Sequence, residues 1–286
     1  MRMPSKVACE SADTRPYNQH LNEILVSVLR AMRSTRYTVQ INILRAKGKM
    51  NLQYWKNNIS GLLVVGGFLI AVTLFTSVIP SVDLLSSDSS IFGVIFTYLT
   101  YSAGKQGFLI TLAALVVAIA IKTPNRKRLL MLMVQLGVLL VLSFGAKSLL
   151  KKVTQSPRPY TEALTQLHLV DSPQDFYHLD TPDQNAVIAQ ASQSVSHWRT
   201  IHWQGETDYS FPSGHTVFVA LCLFFFGGLF VQRKQYLALS VLFVWALGVA
   251  YSRLWLGMHR PEDLMGSALV VGIIAMFIPA PSSRLP

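Results

Sequence analysis

With 286 residues, 51% of them hydrophobic and only 14% charged, the chain is too apolar for a soluble domain of its size. Its formal net charge of +11 would suit a nucleic-acid binder, yet no basic stripe with interleaved aromatics accompanies it. The cations crowd beside apolar runs instead, where anionic headgroups and the positive-inside rule account for them, so composition points to an integral membrane protein that binds no nucleic acid.

Residues 1–57 are polar and basic, with Arg30, Arg33, Arg36, Arg45, Lys47, Lys49 and Lys56. They read as a cytoplasmic tail, because no apolar stretch of signal-peptide type precedes Ile59. Within the tail, residues 21–32 suit a short amphipathic helix on a membrane surface, and the plainer reading is a disordered segment. A natural start at Met50, directly before the first apolar run, is the alternative to a genuine tail. The two cysteines, Cys9 in the tail and Cys222 in an apolar run, are not expected to pair.

Six apolar runs follow, at about 59–80, 108–121, 129–150, 216–231, 236–256 and 264–278. The second is short and has room to extend back past Gly104 and Gly107. The apolar, aromatic segment 91–101 before it suits an interfacial helix. The expected class is therefore all-α: an integral membrane protein with six transmembrane helices over 58–280, and a C-terminal tail, 281–286, in the cytoplasm. Residues 160–211 are too long for a plain linker. Gln184 to Trp198 is compatible with a helix, so this insertion reads as a small helical extracytoplasmic (periplasmic) subdomain between helices three and four. Trp198, Trp203 and Tyr209 read as interfacial aromatics.

Loop charge sets the orientation. Lys122, Arg126, Lys127 and Arg128 lie between runs two and three, and Arg233 and Lys234 between four and five. These loops and the tail should be cytoplasmic. The 150–213 segment carries Glu162, Asp171, Asp175, Asp180, Asp183, Glu206 and Asp208, and should face outward.

Three polar clusters stand at the ends of these runs: Lys151 with Arg158-Pro159, then Pro212-Ser213-Gly214-His215, then Ser252-Arg253 with His259 and Asp263. The first two bound the same loop, and two runs separate the second from the third, so all three share one membrane face. Arg158 and Arg253 offer planar forks that match phosphate oxygens, and Lys151 adds a point charge. Membrane anchoring is the plain alternative, and it is weak on a face predicted to be extracytoplasmic. A helix should begin at Ser213-Gly214, where unpaired N–H groups suit an anion and glycine lets the backbone approach closely; an ordinary helix cap is the plain alternative. Pro261 starts a helix that brings Asp263 within reach of His259. Asp263 can then accept the Nδ1–H and leave Nε2 free to attack. His168, His178, His197 and His202 fall in the outer loop at spacings that match no compact zinc motif.

In order and spacing, the three clusters resemble the tripartite signature of the type 2 phosphatidic acid phosphatases, a superfamily shared with glucose-6-phosphatase and vanadium haloperoxidases. The resemblance covers about 58–280 and leaves out the tail. It implies His259 as nucleophile forming a phosphohistidine, Asp263 as its orienting partner, and His215 as the acid that protonates the leaving oxygen and then activates water. It implies Lys151, Arg158, Ser213, Gly214 and Arg253 as phosphate-binding residues, with no cofactor and no metal. By the same resemblance the substrate is a membrane phospholipid or polyprenyl pyrophosphate: phosphatidylglycerophosphate, phosphatidate-type lipids or undecaprenyl pyrophosphate. The chain would sit in a bacterial inner membrane with its site facing the periplasm and no obligate protein partner. A phosphotransferase that passes the phosphate to a lipid acceptor is the alternative. A vanadate haloperoxidase is disfavoured by the apolar runs, and a non-enzymatic lipid transporter would leave the nucleophile, acid and cradle unexplained.

Overall fold

Backbone N–H and C=O groups in lipid must be satisfied within the segment, which favours helices in a chain with runs this apolar. The computed structural model describes residues 52–79, 82–86 and 90–278, and among them there is no strand. The expected basic tail up to residue 51, with its 21–32 helix, Met50 and Cys9, lies outside the described residues, as does the C-terminal tail 281–286.

In chain order the helices are α1 (Leu52–Val78), α2 (Ser90–Ala103), α3 (Phe108–Ile121), α4 (Arg126–Thr154), α5 (Pro159–Gln166), α6 (Thr181–Ala191), α7 (His197–Trp203), α8 (Gly214–Gln232), α9 (Tyr236–Trp255) and α10 (Pro261–Phe277). A 3₁₀ turn, Asp175–His178, precedes α6. Helix α1 reaches back to Leu52, into the stretch read as tail. Four helices, α1, α4, α8 and α9, are long and apolar enough to cross a membrane, and a fifth crossing results if α2 and α3, bent by 66° at their junction, act as one broken span. Helix α10, at 17 residues, is about 25 Å long, slightly under the ~30 Å hydrocarbon thickness.

Helix α8 is the hub. From Val217 to Phe226 its side chains are at most 3% exposed, whereas α1, α4 and α9 each turn an apolar face outward. A helix apolar and buried all round belongs in the middle of a bundle. It contains a π-helical stretch, Leu223–Gly227, which inserts an extra residue into one turn. Beyond this stretch Gly228 lets α1 approach closely: a Cβ there would lie 2.9 Å from the Gly61 Cα.

Helix ends explain where the polar clusters lie. Asn125 caps α4, its side chain accepting from the Arg128 N–H at 3.0 Å. The helix stops at Gln155, in a left-handed conformation with φ 45°, and Pro157 follows. Pro159 opens α5, Ser213 caps α8, and Pro261 opens α10. At the opposite end of α4 and α8, Arg233 Nη2 donates to Thr123 Oγ1 at 2.6 Å, joining the two basic loops. Asn58 Nδ2 reaches the Ile278 carbonyl at 2.6 Å, which sets α1 antiparallel to α10.

Residues 159–203 form a helical layer with its own apolar cluster, in which Tyr160, Leu164, Phe176, Ile188 and Trp203 pack against Trp255, Leu256 and Met258. The stretch 184–198 expected as one helix is broken between α6 and α7. The turn lets Val195 enter this cluster and carries Trp203 onto Tyr160, with ring centroids 5.0 Å apart. Trp203 is not interfacial: it is fully buried and its indole N–H donates to the Leu256 carbonyl at 2.7 Å. Helix α2, expected as an interfacial helix, packs one face against the protein. Its Thr97 and Thr100 are buried, bonding His202 of α7 and Arg253 of α9.

Candidate active site

Each polar cluster reaches the site because a helix boundary delivers it. Helix α4 ends one turn beyond Lys151, α8 begins at Ser213-Gly214, and α9 ends just after Arg253. Gly257, at φ +67°, takes the left-handed conformation that ends α9 and folds the chain back. Met258 and His259 then donate their N–H groups to the Arg253 carbonyl at 3.0 and 3.2 Å, which sets His259 beside Arg253.

Five of the eight residues expected from the sequence, Lys151, Arg158, Gly214, His215 and His259, line one cavity of about 610 Å³. The other three stand behind it. Ser213 is fully buried at the cap of α8, where its Oγ accepts from the Thr216 N–H at 3.3 Å and lies 3.0 Å from the Thr216 hydroxyl. Arg253, 2% exposed, donates through Nη1 to Thr100 at 2.6 Å, while its buried Nε has no hydrogen-bond partner among the described residues. Asp263, 1% exposed, lies behind His259. A second cavity, about 370 Å³ and lined by Phe75, Tyr251, Leu254 and Arg260, also reaches His259.

The cations of the main cavity are held by the loop before α8. Arg158 Nε donates to the Asp208 carbonyl at 2.7 Å, Nη1 to Met258 O at 3.2 Å, and Nη2 to both the Asp208 and Glu206 carboxylates, the latter at 3.3 Å. Lys151 Nζ pairs with Asp208 Oδ2 at 3.0 Å and donates to the Tyr209 carbonyl. Burial opposes ionisation of Asp208, but Arg158 and Lys151 outweigh it and hold the carboxyl below the usual range. Glu206 follows the same pattern, with burial opposed by Arg158, Arg253 and Lys105.

Around His259 the geometry departs from a simple histidine–aspartate pair. Nδ1 lies 3.4 Å from Asp263 Oδ2, long for a hydrogen bond. Asp263 Oδ2 instead accepts from the Arg260 N–H at 2.8 Å and from the Ser210 hydroxyl at 2.5 Å. Burial, reinforced by Arg158, Arg253 and Lys151, holds the His259 pKa well below that of a free imidazole. A neutral imidazole at neutral pH is able to act as a nucleophile. His202, with burial and Arg253 acting on it, is lowered to about 4.

Several residues at the site were missed in the sequence. Lys147 lines the cavity one helical turn before Lys151, and its Nζ comes within 3.7 Å of a Cβ placed on Gly214. The i,i+4 repeat of lysine along one helix face was the available signal. Glu206 and Asp208 read in the sequence only as loop charge, and Ser210 carries no signal there. At the α2–α3 bend, a Cβ on Gly104 would stand 2.7 Å from His215 Nε2, so the bend lies against that imidazole. His168, His178, His197 and His202 do not gather, and no group of three or more His, Cys, Asp or Glu among the described residues is arranged to hold a metal ion.

Comparison with known proteins fits this layout. A family model described as the PAP2 superfamily matches residues 132–282, a stretch that contains all three polar clusters. Phosphatidylglycerophosphatase B of Escherichia coli K12 is 35% identical over 138 residues, covering 47% of this chain and 54% of that protein. The Shigella flexneri protein of the same name gives the same figures. Phosphatidylglycerophosphatase B of Haemophilus influenzae is 33% identical over 193 residues, covering 63% of this chain and 78% of that one. The chain thus spans about half the length of its Escherichia coli and Shigella relatives.

Proposed function

Because this chain belongs to the PAP2 superfamily, we propose that it is a membrane lipid phosphatase that hydrolyses phosphatidylglycerophosphate to phosphatidylglycerol, and acts as well on phosphatidate-type lipids and undecaprenyl pyrophosphate. The observation that carries this reading is the cavity in which two histidines face a cluster of cations beside the start of α8. Relatives named for phosphatidylglycerophosphatase activity favour that lipid first.

In the proposed mechanism Lys151, Arg158, Arg253 and the N–H groups at Ser213-Gly214 bind the phosphate. The Nε–H of Arg253, without a hydrogen-bond partner among the described residues, supports an anion there. Nε2 of His259 attacks phosphorus, and the bond to the lipid oxygen breaks as His215 gives that oxygen a proton. His215 then takes a proton from water, whose oxygen attacks the phosphohistidine and releases inorganic phosphate. The cations stabilise the extra negative charge of both transition states. Asp208 spans Arg158 and Lys151 much as two phosphate oxygens would, so substrate must displace it.

We further propose six spans, with α2–α3 as one broken crossing and α10 as the last, in a bacterial inner membrane. The basic loops joined by Arg233 and Thr123 would be cytoplasmic, and the site with its 160–211 helical subdomain would face the periplasm. The test is phosphate release by purified protein from phosphatidylglycerophosphate, phosphatidate and undecaprenyl pyrophosphate, without added metal. Release from the first at the highest kcat/KM is expected. Phosphate recovered only on a lipid acceptor, or no release from any, would overturn the reading.

A further inference from the structure

The loop residue three positions before Ser213 occupies the space where a direct His259–Asp263 bond was expected. Ser210 is fully buried. Its Oγ lies 3.2 Å from His259 Nδ1, 2.5 Å from Asp263 Oδ2 and 3.3 Å from the Met258 carbonyl. Its backbone N–H donates to the Ser156 carbonyl at 2.8 Å, which pins the loop independently of the side chain. The partners of the hydroxyl sit 49 and 53 residues away in sequence.

We propose that Ser210 is a positioning residue whose hydroxyl links His259 to Asp263 and fixes the imidazole tautomer. The inference rests on the reading of His259 as nucleophile. A hydroxyl carries one proton and offers lone pairs as acceptors. Asp263 Oδ2 and Met258 O can only accept, and the shorter contact, to Asp263, takes the proton. The contact to His259 is then a hydrogen bond only if Nδ1 supplies the proton. That requirement holds Nδ1 protonated and leaves the lone pair on Nε2. When Nε2 bonds to phosphorus the ring becomes cationic. Its positive charge is then stabilised by the Asp263 carboxylate through the hydroxyl, with no net proton transfer along the chain.

The charged and titratable groups facing this imidazole are Lys151 of α4, Arg158 before α5, Asp208 of the loop, His215 of α8, Arg253 of α9 and Asp263 of α10. Ser210 carries no charge, so removing it changes the coupling between His259 and Asp263 without altering this set.

The first measurement is the ¹⁵N spectrum of histidine-labelled wild-type protein at pH 7.5, with His259 assigned by its loss in His259→Ala. Protonated Nδ1 and bare Nε2 are expected; protonated Nε2 overturns the proposal, whether or not the protein is a phosphatase. The second compares lipid-phosphate hydrolysis across pH by wild type, Ser210→Ala and Ser210→Thr. Loss of a hydrogen bond to a group that becomes charged should lower kcat of Ser210→Ala by about 10- to 100-fold, with KM within about twofold. The acid limb of its pH profile should move, and Ser210→Thr should recover most of the rate. Wild-type kcat and an unmoved acid limb in Ser210→Ala overturn the proposal. Absence of phosphate release by wild type would instead defeat the phosphatase reading, with the tautomer measurement still deciding the role of Ser210.

Discussion

Arg158 and Lys151 are buried cations, and the loop carboxylates pair with them. Buried charges need such partners, because an uncompensated one costs several kcal/mol. Asp208 therefore has two opposed effects in the proposed mechanism: it stabilises the buried cations and would compete with phosphate. Asp208→Asn should lower thermal stability while tightening inhibition by inorganic phosphate about tenfold, or ~1.4 kcal/mol. Unchanged or weaker inhibition would show that the carboxylate does not compete. The pH dependence follows from His259. Its folded pKa lies well below the free value, so it stays neutral as pH falls through about 6.5, where an ordinary histidine protonates. The acid limb of kcat/KM should consequently fall below pH ~6.5; a limb at or above it would contradict a buried, cation-flanked nucleophile. At this scale the sequence brought His259 and Asp263 near each other through their close spacing, but the direct bond it suggested is 3.4 Å long and Ser210 stands between them. Ser210 and Asp208 were hidden because their partners are some 50 residues away and neither belongs to a recognisable spacing.

Helix boundaries place the chemistry, and two were legible from a cap and a proline, Ser213 and Pro261; Pro159 opens a helix by the same rule but gave no expectation in the sequence. The α2–α3 bend was only partly legible. Gly104 and Gly107 read only as residues that the second run could extend back past, whereas the chain bends there and sets the bend against His215. Gly104→Ala tests this. The added methyl would meet His215 Nε2 at 2.7 Å and the Thr100 carbonyl at 3.1 Å. Relief requires the imidazole or the bend to shift, at about 1–3 kcal/mol. The expected outcome is a larger loss in kcat than in melting temperature; an active enzyme with wild-type kcat would show that the bend does not position His215. The break between α6 and α7 was illegible, since the Gln- and Ser-rich stretch has little periodicity. Burial of Val195 and Trp203 against Trp255 and Leu256 decides it from outside the segment.

Across the whole molecule, α8 is wrapped by the other long helices and presents its N-terminus to the cations, while the basic loops meet at the far end of α4 and α8. Charge bias and parity foretold that the three clusters share one end, because crossing number alone fixes that relation. The length of 160–211 foretold a helical insertion, but not that its apolar cluster would join residues from Tyr160 to Met258. Everything in the proposed function converges on covalent chemistry at one atom, His259 Nε2. The most direct measurement is acid-stable versus base-stable label on protein quenched during turnover of a ³²P-phosphorylated lipid. The account predicts a base-stable, acid-labile phosphohistidine in wild type and none in His259→Ala. Label that survives in His259→Ala, or turnover by that variant at the wild-type rate, would contradict it.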